Sequence, residues 1–297
     1  MPKNPLAGDP LFERLAHELT RSQLTSALLD VMAAHAAART PADVLAQYRR
    51  DLFVTPAATD LRVQLAIDAH MLAAADAFEA IELSPVAPLG ACSTVALTAQ
   101  HRVLSALRST ESVSDPTNVL ALECAARLGD RPGTPVHLAT CQRVVRAQPV
   151  PKLPGYAQHF KMFALASGGI ETKDHAFTVD TLALHVRTML AALDRLERHG
   201  YAFGRRRLVV RCTPERAALA ERLQRAVALP STVEPLEQAY YHGMRYMLHV
   251  TTPAGDDMFL VDGGAFDWLN KLTSNRRAVL VASGCGSQLI AIAFRVG

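Results

Sequence analysis

The stretch of residues 137–169 constrains the fold more than any other part of the chain, because proline and glycine interrupt it between two short apolar runs. The interrupting residues are Pro149, Pro151, Pro154 and Gly155. Each run has the length of a strand, and a Pro/Gly cluster between two such runs is typical of a hairpin loop. The sequence therefore predicts two antiparallel strands joined by a long loop.

Two side chains at the ends of this loop are candidates for nucleotide binding. Arg146 lies at the end of the first predicted strand, and Phe160 lies at the start of the return strand. A guanidinium pairs with a phosphate through two parallel hydrogen bonds, and an aromatic ring stacks on a base. An arginine beside a hairpin is also commonly a solvated surface residue, and a phenylalanine there is commonly a core residue. Both interpretations are open on these residues alone.

The hairpin resembles motif 2 of the class II aminoacyl-tRNA synthetases, where an Arg-x-Glu, a variable loop and a phenylalanine follow in that order. Arg146 and Gln148 stand at the arginine and glutamate positions, and His159 precedes Phe160 at the return. By this resemblance Arg146 is the catalytic arginine that holds the α-phosphate of ATP, while Gln148, His159 and Phe160 complete the ATP site. Gln148 replaces a carboxylate with an uncharged amide. Arg143 is an alternative for the arginine position and is also assigned to ATP.

The segment before the hairpin resembles motif 1 of the same family. A predicted helix after Asp60 ends near Ala77, and residues 78–85 then alternate between apolar and polar up to Pro85. A long helix feeding a strand that ends in proline builds the dimer interface in that family. The resemblance therefore implies a homodimer.

The first 59 residues form a separate, alanine-rich segment. Leucines at helical spacing predict one or two helices over residues 11–38, and Thr40 followed by Pro41 predicts the capped start of another helix. We expect this N-terminal segment to pack on the core or at a subunit interface.

A candidate amino-acid site precedes the hairpin. Residues 114–117, Ser-Asp-Pro-Thr, lead into a predicted helix over residues 118–128, with Asp115 or Thr117 as its cap. The tetrapeptide is similar to the Pro-Glu-x-Thr that contacts the amino acid in class II synthetases. This likeness assigns Thr117 and the nearby Glu111 to amino-acid binding, and a helix cap without any further role is the alternative.

The last part of the chain is similar to the histidyl-tRNA synthetase branch. That branch has a Tyr-Tyr-Thr-Gly, a hairpin and a Gly-Gly-Arg-Tyr-Asp, and this chain has Tyr240, Tyr241, a predicted hairpin and then Gly263 and Gly264. The resemblance implies that both tyrosines line an amino-acid pocket. The two glycines are expected in a turn, where the absence of side chains lets the backbone approach the ligand.

Residues 278–289 resemble motif 3, a strand that runs into a Gly-x-Gly and a helix, so Gly284 and Gly286 are assigned to the ATP site. In the family this motif supplies an arginine for the γ-phosphate. Here that position falls on Leu289, or on Gln288 with a shift of one residue. Neither residue is a cation.

Two more arginines of the histidyl branch are replaced, one by Leu236 and one by Ala265. Cations aimed at the reacting phosphate supply much of the rate of amino-acid activation, and losing one costs on the order of a hundredfold. The resemblance therefore supports the predicted fold more strongly than it supports the activity.

Composition excludes several other classes of protein. The 297 residues are 49% hydrophobic and 20% charged, which is typical of a globular chain. A net charge of +3, spread along the chain, does not indicate nucleic-acid binding. Five separated cysteines predict reduced, mostly buried thiols. Eleven scattered histidines without metal-ligand spacing predict that there is no metal site. The sequence shows no signal peptide and no apolar run of about 18 residues, so we expect a cytoplasmic protein without a membrane segment.

A further helix is predicted over residues 181–199 because its apolar residues follow the helical period, and Gly200 is expected to end it. His185 and His199 on this helix are expected at its solvent-exposed surface.

The predicted fold is α+β: an antiparallel sheet flanked by helices, with a helical segment over residues 1–59 and a class II synthetase-like core over residues 60–297. No anticodon-binding domain is expected, and tRNA binding is doubtful. The first functional hypothesis is a paralogue that binds an amino acid, ATP or both and regulates a partner enzyme. The alternative is a ligase that uses ATP, with or without Mg²⁺, to activate an amino acid for a non-standard acceptor.

Overall fold

A computed structural model describes residues 5–149, 157–237 and 240–296 of the chain. Most of the predicted hairpin loop, including Pro151, Pro154 and Gly155, lies outside the described residues. The described chain forms an eight-stranded mixed sheet, a three-stranded sheet and helices on both faces of the larger sheet. The α+β class predicted from the sequence is confirmed.

The strands are short at the sheet edges and long at its centre. In chain order they are β1 (Glu79–Ala80), β2 (Val86–Pro88), β3 (Ser105–Ala106), β4 (Thr110–Ser112), β5 (Val136–Val145), β6 (His159–Ile170), β7 (Arg206–Cys212), β8 (Ser231–Pro235), β9 (Met244–Thr251), β10 (Asp257–Phe266) and β11 (Ala278–Cys285).

The helices range from a single turn to six turns. In chain order they are α1 (Pro10–Glu13), α2 (Arg21–Ala37), α3 (Pro41–Arg50), α4 (Leu61–Ala74), α5 (Pro116–Asp130), α6 (Ala176–Glu197), α7 (Ala217–Val227), α8 (Trp268–Thr273) and α9 (Ser287–Ala293). Short 3₁₀ or π-helical turns precede or separate several of them, among them Gln100–Arg102.

The large sheet brings the predicted motifs side by side. Its strand order is β1-β5-β6-β11-β10-β9-β7-β8, with β1–β5 and β7–β8 parallel and all other pairs antiparallel. The predicted hairpin is the β5–β6 pair, which runs in register from Val136 opposite Gly168 to Val145 opposite His159. Strand β11 lies between β6 and β10. The hairpin, the double glycine and the final Gly-x-Gly therefore reach one antiparallel region.

Each face of the sheet buries its own apolar cluster. Helices α4, α6, α7 and α9 cover one face, where Leu182, Val186 and Leu193 of α6 are at most 1% exposed. Helices α5 and α8 cover part of the other face, with Leu120 and Trp268 buried. The uncovered part of this second face carries the cleft described below.

Most helices begin and end where the sequence predicted. Thr40 caps α3 through its hydroxyl, and the Asp115 carboxylate, rather than Thr117, caps α5 by accepting from the Thr117 amide at 3.0 Å. Gly200 follows α6 with a φ of 87°, a left-handed conformation that glycine adopts without strain. None of the residues in α1, α2 and α3 is buried.

Three predictions about local structure are wrong, and the third, the turn expected at Gly263 and Gly264, is described with the cleft. Of the strand predicted over residues 78–85, only Glu79–Ala80 pairs with β5, because the chain then leaves the sheet edge for the small β2–β4–β3 sheet. His185 is fully buried rather than solvent-exposed. Its ring lies under α6 and shares hydrogen bonds with Ser167 and Ser283 of the sheet, each at 2.8 Å.

Contrary to the expectation from the sequence, one segment of the described chain is long and apolar enough to cross a membrane. It is Lys173–Glu197, which contains a short 3₁₀ turn followed by α6, and 61% of its most apolar stretch is buried in the fold. Burial against the sheet on one side and α4 and α7 on others is typical of the core helix of a globular protein.

Candidate binding cleft

A cleft lies on the α5 face of the sheet and consists of two cavities of about 190 and 270 Å³ that share Asp115, Arg146 and Tyr240. We call the smaller cavity the arginine compartment and the larger one the aromatic compartment. Besides the shared residues, the arginine compartment is lined by Cys92, Thr98, Arg102, Val103, Ser114, Asn118 and Gln148. The aromatic compartment is lined by Thr117, Met162, Tyr241, Phe259, Leu260, Asp262, Gly263, Phe266, Ala282, Ser283 and Gly284.

An ion pair stands where the two compartments meet. The Arg146 Nη2 atom lies 3.2 Å from Asp115 Oδ2, and Arg146 Nε donates to the Ser114 carbonyl at 2.9 Å. About a quarter of each charged side chain remains exposed. Because Asp115 caps α5 and Arg146 follows β5, a helix and a strand both fix the position of this pair. The junction therefore offers a carboxylate and a guanidinium side by side to a ligand.

Strand geometry separates the two candidate arginines. Phe160 and Met162 point toward the cleft face, and the Arg146 guanidinium lies over the Phe160 ring at 5.2 Å from its centre. Arg143 points to the opposite face, where Nη1 donates to His159 Nδ1 at 2.9 Å. The structure thus brings Arg146 and Phe160 together and places Arg143 and His159 outside the cleft.

The two tyrosines that the sequence analysis assigned to an amino-acid pocket both line the cleft. Tyr240 lines both compartments and Tyr241 lines the aromatic one, and their rings meet edge to face at 5.1 Å. Phe266 packs against both rings, at 5.5 Å from Tyr240 and 5.1 Å from Tyr241. Burial raises the pKa of both phenols, so they are neutral hydrogen-bonding groups at physiological pH.

The double glycine lies inside strand β10 and not in the turn that the sequence analysis expected. A Cβ on Gly264 would lie 2.5 Å from the Met244 carbonyl oxygen and 2.5 Å from the Tyr241 ring. A Cβ on Gly263 would overlap the Tyr246 ring, 2.5 Å away on the other face. The glycines therefore make room for two tyrosine rings of the protein itself, and Gly263 also lines the cleft.

The motif 3 region supplies no cation to the cleft. Gly284 lines the aromatic compartment, but the Met162 methyl group lies only 2.9 Å from where a Cβ on Gly284 would be. Gly286 precedes α9 and lies outside both compartments. Gln288, at one of the two possible arginine positions, is buried and accepts from Arg143 at 3.3 Å on the far face.

Glu111 lies behind the cleft rather than in its lining. Its carboxylate accepts from the backbone amides of Gly90 and Cys92 at 2.9 and 2.8 Å, and from the Gln100 side chain at 2.8 Å. It thereby fixes the segment that carries Cys92 and the Gln100–Arg102 turn into the arginine compartment. Thr117 does line the aromatic compartment, with its hydroxyl bonded to Asp115 at 2.8 Å.

Several cleft residues were not found from the sequence as site residues. Asp262 lines the aromatic compartment and forms a two-point ion pair with Arg245, at 2.9 and 3.0 Å. The period of two in a strand places Asp262 on the same face as Gly264 and Phe266, which is a signal that the sequence did contain. The sequence contained no such signal for Arg102, because this residue lies in a short 3₁₀ turn, which has no strand period to place its side chain on a face.

Comparisons with known proteins agree with this arrangement at the level of the fold. No family model and no curated protein matches the sequence. Among solved structures, an ATP phosphoribosyltransferase regulatory subunit/histidyl-tRNA synthetase from Bacillus halodurans has a TM-score of 0.59 and 15% identity, with 78% of this chain and 79% of that one covered. The histidyl-tRNA synthetase of S. aureus has a TM-score of 0.56 and 14% identity, over 77% of this chain and 64% of its own. A histidyl-tRNA synthetase from Nostoc sp. has a TM-score of 0.58 and 12% identity, over 81% and 74%.

The chain has a class II aminoacyl-tRNA synthetase-like fold. In this fold the hairpin that resembles motif 2 is β5–β6 and the strand that resembles motif 3 is β11, and Tyr240, Tyr241 and Gly263 line the cleft. Among the described residues, no group of three His, Cys, Asp or Glu side chains is placed to hold a metal ion.

Proposed function

We propose that the cleft binds an amino acid, and that the chain is a class II synthetase-like paralogue which uses this binding in a regulatory role. The observation that carries the proposal is the Asp115–Arg146 pair at the junction of the compartments. A carboxylate next to a guanidinium is complementary to the ammonium and carboxylate of a zwitterion. Neutral Tyr240 and Tyr241 beside them add hydrogen-bonding groups on apolar rings.

The geometry favours an amino acid over ATP as the main ligand. In the class II resemblance adenine stacks on Phe160, but one approach to that ring is covered by the Arg146 guanidinium. Helix α9, whose family counterpart supplies the γ-phosphate arginine, contains no cation. Arg146 itself is already paired with Asp115, which reduces its attraction for a phosphate.

The regulatory role is supported by the same missing cations. A protein with an amino-acid pocket but without the arginine that motif 3 supplies for the γ-phosphate is suited to sensing an amino acid rather than activating it. One structural neighbour is described as an ATP phosphoribosyltransferase regulatory subunit/histidyl-tRNA synthetase. We propose by analogy that this chain acts through a partner enzyme. Binding of the amino acid in the cleft would then change the surface of the protein that contacts this partner.

The test is calorimetric titration of the protein with each of the twenty amino acids and with ATP. We expect at least one amino acid to bind, and Arg146→Ala to weaken that binding roughly tenfold or more through loss of a charge-assisted contact. Arg143→Ala is the matched control, because it removes a guanidinium three residues away on the opposite face. Absence of binding by every amino acid, or equal losses in both variants, would contradict the proposal.

A second candidate function is amino-acid activation, favoured by Arg146, which lines the cleft, and by the contact between its guanidinium and the Phe160 ring. Exchange of pyrophosphate into ATP separates the two functions, since only adenylate formation produces it. Exchange that depends on an amino acid and is lost in Arg146→Ala would establish the ligase. Binding without exchange would leave the regulatory function as the one supported.

A further inference from the structure

The arginine compartment contains a cation that the class II resemblance does not account for. Arg102 reaches it from the Gln100–Arg102 turn, and the Arg102 carbonyl accepts from the Ala147 amide at 2.9 Å. This backbone bond ties the turn to the residue that directly follows Arg146. Two arginines are thereby held at one small cavity by the same local structure.

Acidic groups do not neutralise Arg102. Asp115 is the one acidic side chain in the described lining of the compartment, and it is paired with Arg146. Glu111, the next carboxylate behind the turn, uses its oxygens on two backbone amides and on Gln100. Arg102 is thus an exposed residue in the lining of the cavity, and its guanidinium has no carboxylate partner among the described residues.

A second observation points to a ligand in the same compartment. Asn118 is 3% exposed and lines the cavity, and its Oδ1 atom has no hydrogen-bond partner among the described residues. Because Oδ1 is an acceptor, the partner it lacks is a donor, which the ammonium of an amino-acid ligand next to Asp115 supplies. Ser114, also in the wall, presents a hydroxyl whose protein partner is the weak acceptor Cys92 Sγ at 3.4 Å.

From these contacts we infer that the arginine compartment is a subsite for a second anionic group of the ligand, a carboxylate or a phosphate, so that the cleft selects amino acids with an anionic side chain. The ammonium and the α-carboxylate bind at the Asp115–Arg146 junction, and the side-chain anion binds Arg102. The inference rests on the proposed function, because it specifies which amino acids the cleft takes.

Paired ligands that differ in charge test the subsite. L-glutamate is compared with L-glutamine, and O-phospho-L-serine with L-serine, by calorimetric titration at low ionic strength. We expect the anionic member of at least one pair to bind roughly tenfold more tightly than its neutral counterpart. Preference in the glutamate pair identifies a carboxylate ligand, and preference in the phosphoserine pair identifies a phosphate ligand.

Variants then assign the preference to named groups. Arg102→Ala is expected to remove the difference between the paired ligands, and Arg102→Lys to restore part of it. Asn118→Asp places a negative charge in the compartment with little change of shape and should favour the neutral ligand. Arg198→Ala, at an exposed arginine that follows α6 on the other side of the sheet, is the control and should leave the preference unchanged.

The outcomes separate this inference from the proposed function. Binding of amino acids without any preference for anionic side chains, or a preference that survives Arg102→Ala in a folded variant, overturns the subsite and leaves amino-acid binding intact. Failure of all amino acids to bind overturns both. Thermal unfolding of each variant in the absence of ligand shows whether a lost preference reflects a damaged fold.

Discussion

At the residue scale, the adjacent glycines of β10 show how the cleft depends on side chains that are absent. Gly264 leaves space that Tyr241 and the Met244 carbonyl occupy from the neighbouring segment. The Tyr241 ring is 8% exposed and rests on Phe266, so it has little freedom to move aside. The Tyr241 ring can therefore occupy its position in the cleft only because Gly264 has no side chain.

We therefore expect Gly264→Ala to lower the free energy of unfolding by about 1–3 kcal/mol, because the added methyl group meets a backbone oxygen that cannot easily move. Gly129→Ala is the control. Gly129 is exposed in α5 with no heavy atom within 4 Å of a new Cβ, and alanine in a helix should stabilise by about 0.5–1 kcal/mol. Urea unfolding measures the free energy of unfolding of both variants. An unchanged value for Gly264→Ala would contradict the role assigned to this glycine.

Strand parity explains which of the two candidate arginines reaches the cleft. Arg143 and Arg146 are three positions apart, so on an extended strand their side chains point to opposite faces, and only one of them can join Phe160. The sequence contained this information once the hairpin was recognised. The position of Glu111 was different, because its carboxylate is directed by the amides of Gly90 and Cys92, some twenty residues away in an irregular segment. No local pattern predicts such a contact.

At the scale of elements, α6 is joined to the sheet by a polar connection within an apolar interface. His185 accepts or donates between Ser167 of β6 and Ser283 of β11, and the Tyr246 hydroxyl donates to Ser283 at 2.7 Å. The helical period correctly predicted α6 and its apolar stripe. It could not show that a histidine beside that stripe would be covered, because the serines that satisfy the ring lie on distant strands.

Burial lowers the pKa of His185 to about 3, and the ring is neutral in the folded protein. The unfolded chain binds a proton near the ordinary histidine pKa of about 6.5. Between these values the unfolded state holds more protons, so stability falls as pH decreases from about 6.5 toward 3, by at most about 1.4 kcal/mol per pH unit. His70 and His137, whose pKa values burial also lowers, act in the same direction.

The contribution of His185 is isolated with His185→Gln, which keeps hydrogen-bonding capacity and does not titrate. We expect this variant to be less stable than the wild type at pH 7 and to lose less stability between pH 7 and pH 5. Urea unfolding at several pH values provides the measurement, and carboxylates, His70 and His137 titrate in both proteins. Parallel pH profiles for the two proteins would show that the buried ring does not resist protonation.

At the scale of the whole molecule, the sequence predicted the fold because stretches that resemble the class II motifs follow one another along the chain, and their strands pair in one sheet. It predicted the N-terminal segment as helical, and α2 and α3 do begin with capping boxes at Thr20 and Thr40. The sequence did not show that α1, α2 and α3 would bury no side chain.

Helices of ten to seventeen residues without a buried face have little stability of their own, since most helical stability comes from tertiary packing. Apolar side chains such as Met32 and Val44 are more than half exposed here, and Leu61 and Leu65 extend the exposed apolar surface onto α4. Helix α4 belongs to the segment whose sequence resembles motif 1, which builds the dimer interface in class II synthetases, although only Glu79–Ala80 of its predicted strand joins the sheet. We therefore predict a homodimer in which this surface is covered by the second copy.

Light scattering on the peak that elutes from a size-exclusion column at micromolar concentration is expected to give twice the mass of the 32.1 kDa chain. The pair of substitutions Leu61→Lys and Leu65→Lys should shift the protein toward the monomer, because two ammonium groups would be placed in an apolar contact. Leu97→Lys is the control, since Leu97 is as exposed as Leu61, at 64%, but lies in a loop outside this surface. A wild-type protein that remains monomeric, or a dimer that tolerates both lysines, would show that α4 is not where two copies meet.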